Sequence, residues 1–293
     1  MKLFRAEGQQ ETGCPDLSDG KEGEGMKNTL ITSLQNTSIK ELVKIRQRRH
    51  RDRQKLYIID GVRQLTFAIK NNFQIETLYF QEDLADKELI KLASAKSTAL
   101  QPVTANVFKK TGYGDNPDGH LGLARQPEFK LKDMPCPSAP LYIIAENLEK
   151  PGNIGAILRS ADASGVSGII ICDIHTDIFN PNVIRNSLGA FFTVPLAVAD
   201  SAEAVRWLKE RNVRIYAAVH DAHKSYTDID LTGAAALAVG NEHSGLTEIW
   251  FEETGVRIPM VGQADSLNAA QTATILMFEA ARQRNNGIPF NGR

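Results

Sequence analysis

Residues 141–171, LYIIAENLEKPGNIGAILRSADASGVSGIII, carry the reading of the fold. An unbroken apolar run, 141–145, is followed by a polar turn, a segment with apolar residues at helical spacing, and a second apolar run, 168–171. Continuous apolar strands of this kind are the mark of a parallel sheet covered on both faces. If Asn153 caps the helix, Ile154, Ile157, Leu158 and Ala161 form its core-facing stripe and Arg159 projects away from it. The face around Arg159 carries Gly155, Ala156 and Ala163. A solvated face would normally carry Lys and Glu, so these small residues predict close approach by another surface or a ligand.

Outward from this stretch, the apolar runs 215–219 and 234–239 extend the sheet, with helices expected near 153–164, 182–190, 201–211 and 267–284. On the N-terminal side, Pro127, Pro135, Pro137 and Pro140 fall close together. Proline removes ladder donors and breaks helices, so 127–139 reads as a linker and 140–293 as one domain. Residues 28–126 alternate short helices and strands. Ile39, Leu42 and Val43 have helical spacing, 56–59 reads as a strand, and Val62, Leu65, Phe67 and Ile69 belong to a helix. Further strands are expected at 75–80 and 120–124, the second entered through the turn-rich loop 112–119. This is a small α/β domain. Residues 1–27 are polar and Gly-rich and read as a mobile tail; a start at Met26 would leave the rest intact.

The chain has 293 residues, of which 42% are hydrophobic and 24% charged, the balance of an ordinary soluble protein, which excludes collagen-like and wholly disordered classes. No apolar run approaches the roughly 20 residues needed to cross a bilayer, and no secretory or transit segment is evident. Cys14, Cys136 and Cys172 form no paired spacing, which argues against structural zinc or disulfides and for a cytosolic redox context. His220 and His223 lack a further nearby ligand, so no metal site is expected. A cytoplasmic protein with no membrane partner follows.

Two more segments carry polar residues at strand ends, where open α/β sheets bind ligands. One is 239–246, VGNEHSGL, whose Gly240 and Gly245 allow positive φ and close approach while Glu242 supplies a carboxylate. The other is 258–273, IPMVGQADSLNAAQTA, with Ser266 as a plausible helix cap. No G-x-G-x-x-G follows a first strand, and neither a P-loop nor a nucleophile elbow is present.

Asn153, Gly155 and Arg159; Gly240, Asn241, Glu242 and Gly245; and Ile258, Pro259, Met260, Ser266, Leu267 and Asn268, taken in order, resemble the three motifs of the SpoU (TrmH-like) family of RNA ribose 2′-O-methyltransferases. Residues 28–126 match more weakly the ribosomal-protein-like RNA-binding domain that often precedes it, with Asp60 where Glu is commoner. The resemblance implies a trefoil-knotted, parallel-sheet SPOUT domain in which the chain end after Gly262 threads a loop. It implies S-adenosylmethionine held near Gly240, Ile258, Met260 and Leu267, with Asn153, Arg159, Glu242, Ser266 and Asn268 as catalytic residues in a site formed by a homodimer. The family account makes Arg159 the base. A guanidinium is effectively never deprotonated, so a phosphate clamp is the favoured reading. Ribosomal RNA is the favoured target; transfer RNA, base methylation and a catalytically silent RNA-binding adaptor are the alternatives.

Lys+Arg of 34 against Asp+Glu of 35 gives a net charge of −1, so an RNA partner needs a local basic patch. Residues 40–55 supply one: Lys40, Lys44, Arg46, Arg48, Arg49, Arg51, Arg53 and Lys55 against Glu41 and Asp52, with no apolar residue between Ile45 and Leu56. Phosphate contact by Arg46, Arg48, Arg49, Arg51 and Arg53 is expected. Arg185, beside Asn186, is a weaker candidate.

Overall fold

The structure, a computed structural model, describes residues 29–112 and 118–285. The expected tail 1–27 and most of the turn-rich loop lie outside the described residues. The chain runs α1 (Thr37–Ile45), α2 (Arg48–Gln54), β1 (Leu56–Asp60), α3 (Val62–Lys70), β2 (Ile75–Phe80), α4 (Lys87–Ala95), β3 (Ala99–Pro102), α5 (Ala105–Thr111) and β4 (His120–Arg125). It continues through β5 (Leu141–Glu146), α6 (Pro151–Ser164), β6 (Gly168–Cys172), α7 (Pro181–Asn186), β7 (Leu196–Ala199), α8 (Ser201–Glu210), β8 (Arg214–Ala218), β9 (Lys224–Ser225), β10 (Ala235–Val239), β11 (Thr254–Arg257) and α9 (Ala269–Arg284).

The first four strands form a mixed sheet in the order β1-β4-β2-β3, and the other seven a parallel sheet in the order β7-β6-β5-β10-β8-β11-β9. In β5 the pleat sends alternate residues to opposite faces. Leu141, Ile143 and Ala145 enter one core with Ile154, Ile157, Leu158 and Ala161 of α6, whereas Tyr142 and Ile144 enter another with Trp207 and Leu208 of α8. The apolar runs at 141–145, 168–171, 215–219 and 234–239 are thus the strands β5, β6, β8 and β10, and both faces of the sheet are covered. Residues 127–139 lie against it, with Leu131 and Met134 buried.

One face of the first sheet joins the α6 core. Tyr57 meets Phe179 with ring centroids 4.9 Å apart, and Phe73 meets Phe192 at 5.0 Å. The helix expected over 182–190 stops at Asn186, because Leu188 and Gly189 take left-handed backbone conformations. At Gly189 a Cβ would stand 2.4 Å from the Phe67 ring, so only glycine lets α3 come this close. Among the described residues no helix is long and apolar enough to cross a membrane.

Candidate active site

The site lies at the carboxyl ends of β5, β8 and β10. The chain leaves β10 through Gly240 into a turn closed by paired backbone hydrogen bonds between Asn241 and Gly245, at 3.1 and 3.0 Å. Gly245 has φ +70°, as expected. Gly240 does not have a positive φ; it is needed because a Cβ there would stand 2.3 Å from the Gly245 carbonyl. The Asn241 side chain holds the turn from inside: Oδ1 accepts from the His243 N–H at 2.8 Å, and Nδ2 donates to the Asn147 carbonyl at 3.0 Å.

Below this turn sits Glu146, the last residue of β5 and fully buried. Its carboxylate accepts from Ser201 Oγ (2.7 Å), the Thr247 N–H (2.8 Å), Thr247 Oγ1 (2.6 Å) and Trp250 Nε1 (2.7 Å). A buried carboxylate is tolerated only when so supplied with donors, and these donors fix the far end of the loop to the sheet. Nothing in the sequence reading singles it out, because its donors lie 55 to 104 residues away.

A cavity of about 470 Å³ opens beside the turn. The expected cofactor residues Gly240, Ile258, Met260 and Leu267 all line it, together with Glu242 and Ser266. Val239, Ala218, Val256 and Leu276 complete an apolar wall, and Asp265 adds an acid. His220, which the sequence reading weighs only as a metal ligand, stands at the rim. The Asp221 carboxylate 3.0 Å from its Nδ1 raises its pKa, and Asp265 adds to this. Among the described residues no cluster of three or more His, Cys, Asp or Glu could hold a metal.

Asn153, Glu242 and Asn268 form one chain of hydrogen bonds. Asn268 Oδ1 accepts from the Ala270 N–H at 2.9 Å, Asn268 Nδ2 donates to Asn153 Oδ1 at 3.2 Å, and Asn153 Nδ2 donates to Glu242 Oε1. Two capping assignments are corrected here. Asn153 lies inside the first turn of α6, whose cap position is Lys150, so its side chain is free to bond Glu242. The cap of α9 is Asn268, in a capping box with Gln271; Ser266 is an exposed loop residue two positions earlier.

The small residues of α6 also have another explanation. A Cβ at Gly155 would stand 2.7 Å from Asn186 Cβ and 2.8 Å from the Val183 carbonyl, so Gly155 makes room for α7 of the same chain. Ser160, one turn further, meets Thr274 of α9 hydroxyl to hydroxyl at 2.7 Å. Only the sector with Arg159 and Ala163 stays exposed. Arg159 has no hydrogen bond or ion pair to a described residue and does not line the cavity.

The basic segment is split. Arg49 and Arg53 are exposed, Arg46 donates to the Lys110 carbonyl at 3.2 Å, and Arg48 donates to the His175 carbonyl at 2.6 Å. Arg51 is corrected: only 3% exposed and paired with the buried Asp177, it is not available to RNA phosphates. A stretch with no apolar residue between Ile45 and Leu56 thus still buries a side chain, through an ion pair rather than an apolar contact. Arg185 is exposed on α7.

Residues 140–278 match the SpoU rRNA Methylase family, and residues 36–122 the MRM3-like substrate binding domain. A Streptomyces viridochromogenes protein, 23S rRNA (uridine(2479)-2′-O)-methyltransferase, is 31% identical over 253 residues, covering 82% of this chain and 87% of its own. The crystal structure of an RNA 2′-O ribose methyltransferase aligns at 40% identity with a TM-score of 0.76, covering 87% of this chain and 99% of that one. An AdoMet-bound rRNA methyltransferase from Sinorhizobium meliloti aligns at 30% identity with a TM-score of 0.80, covering 87% and 97%. The chain belongs to the SpoU rRNA methylase family.

Proposed function

We propose that the cavity beside Gly240 binds S-adenosylmethionine and that the protein transfers its methyl group to a ribose 2′-OH of ribosomal RNA. The observation that carries this reading is the convergence of three separate segments, 153–159, 240–246 and 258–268, on one site through Asn153, Glu242 and Asn268. The residues present fit the cofactor. The cavity falls within the ~300 to 1,000 Å³ of small-molecule sites. Its aliphatic walls, Val239, Ile258, Leu267 and Leu276, suit a flat purine, and Asp265 and Glu242 suit a cationic ligand.

The bound cofactor supplies a methyl group already activated on a sulfonium. The chain must position a ribose hydroxyl, a poor nucleophile, and ease the loss of its proton; positioning contributes up to ~7 to 11 kcal/mol in well-oriented systems. Glu242 Oε1 is committed to Asn153, so the amide relay from Asn268 fixes the plane in which the carboxylate meets the ribose. Arg159, permanently charged and exposed, grips the adjoining phosphate and polarises the hydroxyl oxygen. Ser266 lines the cavity next to Leu267 and orients the approaching substrate.

Because Arg159 does not line the cavity of its own chain, we read the working enzyme as a homodimer in which a second copy completes the site. The return of 258–268 to the cavity built by 240–246 supports a knotted path after Gly262. Residues 28–126 are read as the RNA-substrate domain, with Arg46, Arg48, Arg49 and Arg53 as its phosphate contacts and Arg185 on α7 as a further contact outside it, and the protein as cytoplasmic. The test is to incubate ribosomal RNA with enzyme and methyl-labelled cofactor and map the labelled atom. Label on a ribose 2′-oxygen supports the reading; label on a base, or none, overturns it.

A further inference from the structure

The most heavily tied point between the basic helix α2 and the parallel-sheet half is a buried ion pair that plays no part in holding cofactor. Arg51 Nε and a terminal nitrogen both donate to Asp177 Oδ2, the first at 2.8 Å, and the other terminal nitrogen donates to the Ile45 and Arg46 carbonyls at 2.8 and 2.7 Å. Asp177 Oδ1 accepts from the Phe179 N–H at 2.9 Å. Four of the five guanidinium N–H groups and both carboxylate oxygens are thus engaged, and the side chains are 3% and 7% exposed.

The two residues before Asp177 extend the tie in both directions. The His175 carbonyl accepts from Arg48 at 2.6 Å. Thr176 Oγ1 donates to the Leu148 and Glu149 carbonyls at 2.8 and 2.6 Å, on the turn that enters α6, the helix carrying Asn153 and Arg159. Three consecutive residues therefore brace the basic helix against the start of the catalytic helix.

Cohesion alone does not call for such a pair. The aromatic contacts of Tyr57, Phe73, Phe179 and Phe192 already join the two halves, and well-packed apolar residues in place of a buried ion pair often hold a fold equally well. What directional bonds add is a fixed angle. We infer that Arg51 and Asp177 are positioning residues: through the 175–177 brace they align RNA held by α2 with Asn153 and Arg159. This rests on the methyl-transfer reading above. A displacement of ~1 Å at a reacting centre can cost on the order of 100-fold in rate, so a small rotation of α2 would be felt in turnover.

The test compares the wild-type chain with Asp177→Asn and with the paired apolar replacement Arg51→Met/Asp177→Leu, which keeps packing and removes the directional bonds. Melting temperature, S-adenosylmethionine binding stoichiometry, RNA dissociation constant and kcat per cofactor-binding site are measured on the full chain. The expected result is a paired variant that melts cooperatively, binds cofactor and RNA as the wild type does, and turns over between about ten- and 100-fold more slowly. A paired variant with wild-type kcat overturns the inference, as does one whose only defect is weaker RNA binding. If Asp177→Asn fails to fold, the paired variant alone decides. No transfer by the wild-type protein would overturn the functional reading itself and this inference with it.

Discussion

Asn268 and Asn153 lie 115 residues apart in sequence, and the amide of the first donates to the amide oxygen of the second at 3.2 Å. The direction of this bond is forced. Asn268 Oδ1 is committed to capping α9 through the Ala270 N–H, so only its Nδ2 can face Asn153. Asn153 must then turn its own Nδ2 toward Glu242.

Asn268→Asp separates capping from orientation, because Asp caps a helix about as well as Asn but has no amide to donate. The variant should melt close to the wild type and transfer methyl about tenfold or more slowly. Asn268→Ala, lacking both, should also lose roughly 1 kcal/mol of stability. Thermal melts paired with transfer assays check both.

Arg159 is exposed and lies off the apolar stripe of α6, so Arg159→Ala should leave the melting temperature and cofactor affinity unchanged while abolishing transfer. Arg159→Lys keeps a point charge and loses the planar fork. For a clamp, the Lys variant is almost as inactive as Ala at every pH. Recovery of its activity as pH rises toward the Lys pKa of ~10.4 would instead assign the base role.

With Arg51 buried, Arg49 and Arg53 are the better test of RNA contact. Removing one arginine that neutralises a phosphate should flatten the log-log salt dependence of RNA binding by roughly 0.7 to 0.9. Filter binding by Arg49→Ala/Arg53→Ala across a salt series should show about twice that change, with cofactor affinity unmoved. The wild-type slope would return both residues to a solvated surface.

Gly155→Ala sets two effects against each other. Alanine favours a helix interior by about 1 kcal/mol, but its Cβ would stand 2.8 Å from the Val183 carbonyl and 2.7 Å from Asn186 Cβ. Overpacking of this kind typically costs ~1 to 3 kcal/mol, and the backbone atom cannot swing aside. The melting temperature should fall.

Burial opposes ionisation of Asp118, yet hydrogen bonds from His120 and the Val62 N–H outweigh it and hold its carboxyl below the usual carboxylate range. A folded-state pKa below the unfolded one gives stabilisation that is complete at neutral pH and lost as pH falls through the folded value. Melting temperatures of wild type and Asp118→Ala, compared from neutral to acid pH, should therefore converge on the acid side.

The parallel sheet was legible because β5, β6 and β10 are unbroken apolar runs bounded by turn residues, and the candidate site because three short polar segments stand at strand ends. The four-residue strands β3, β7 and β11 escape such reading, since LAVA or TGVR carries too few residues to set a period. Arg51 was misread for a different reason: a run of cations reads as solvated, and nothing nearby announces Asp177, 126 residues on. Ser266 and Asn268 are equally good caps by type, and residue type alone does not say that α9 starts at Ala269 or that the amide of its cap reaches Asn153, 115 residues away. The small residues of α6 do mark close packing, as expected, but their pattern does not say whether the neighbour is another chain or α7.

Glu146 has a bearing on how the chain reaches this state. Its donors come from residues 55, 101 and 104 positions later, so during synthesis its carboxylate leaves the first parallel strand without most of its partners until Thr247 and Trp250 have emerged. Contacts of such sequence separation carry the full entropy of loop closure before they return any stabilisation, and they slow folding. The strands β5 and β6 can pair early, but the loop that walls the cavity closes only near the end of assembly. Ligand-binding competence should accordingly appear after the sheet has formed, as a distinct late phase in refolding followed by cofactor binding rather than by far-ultraviolet dichroism.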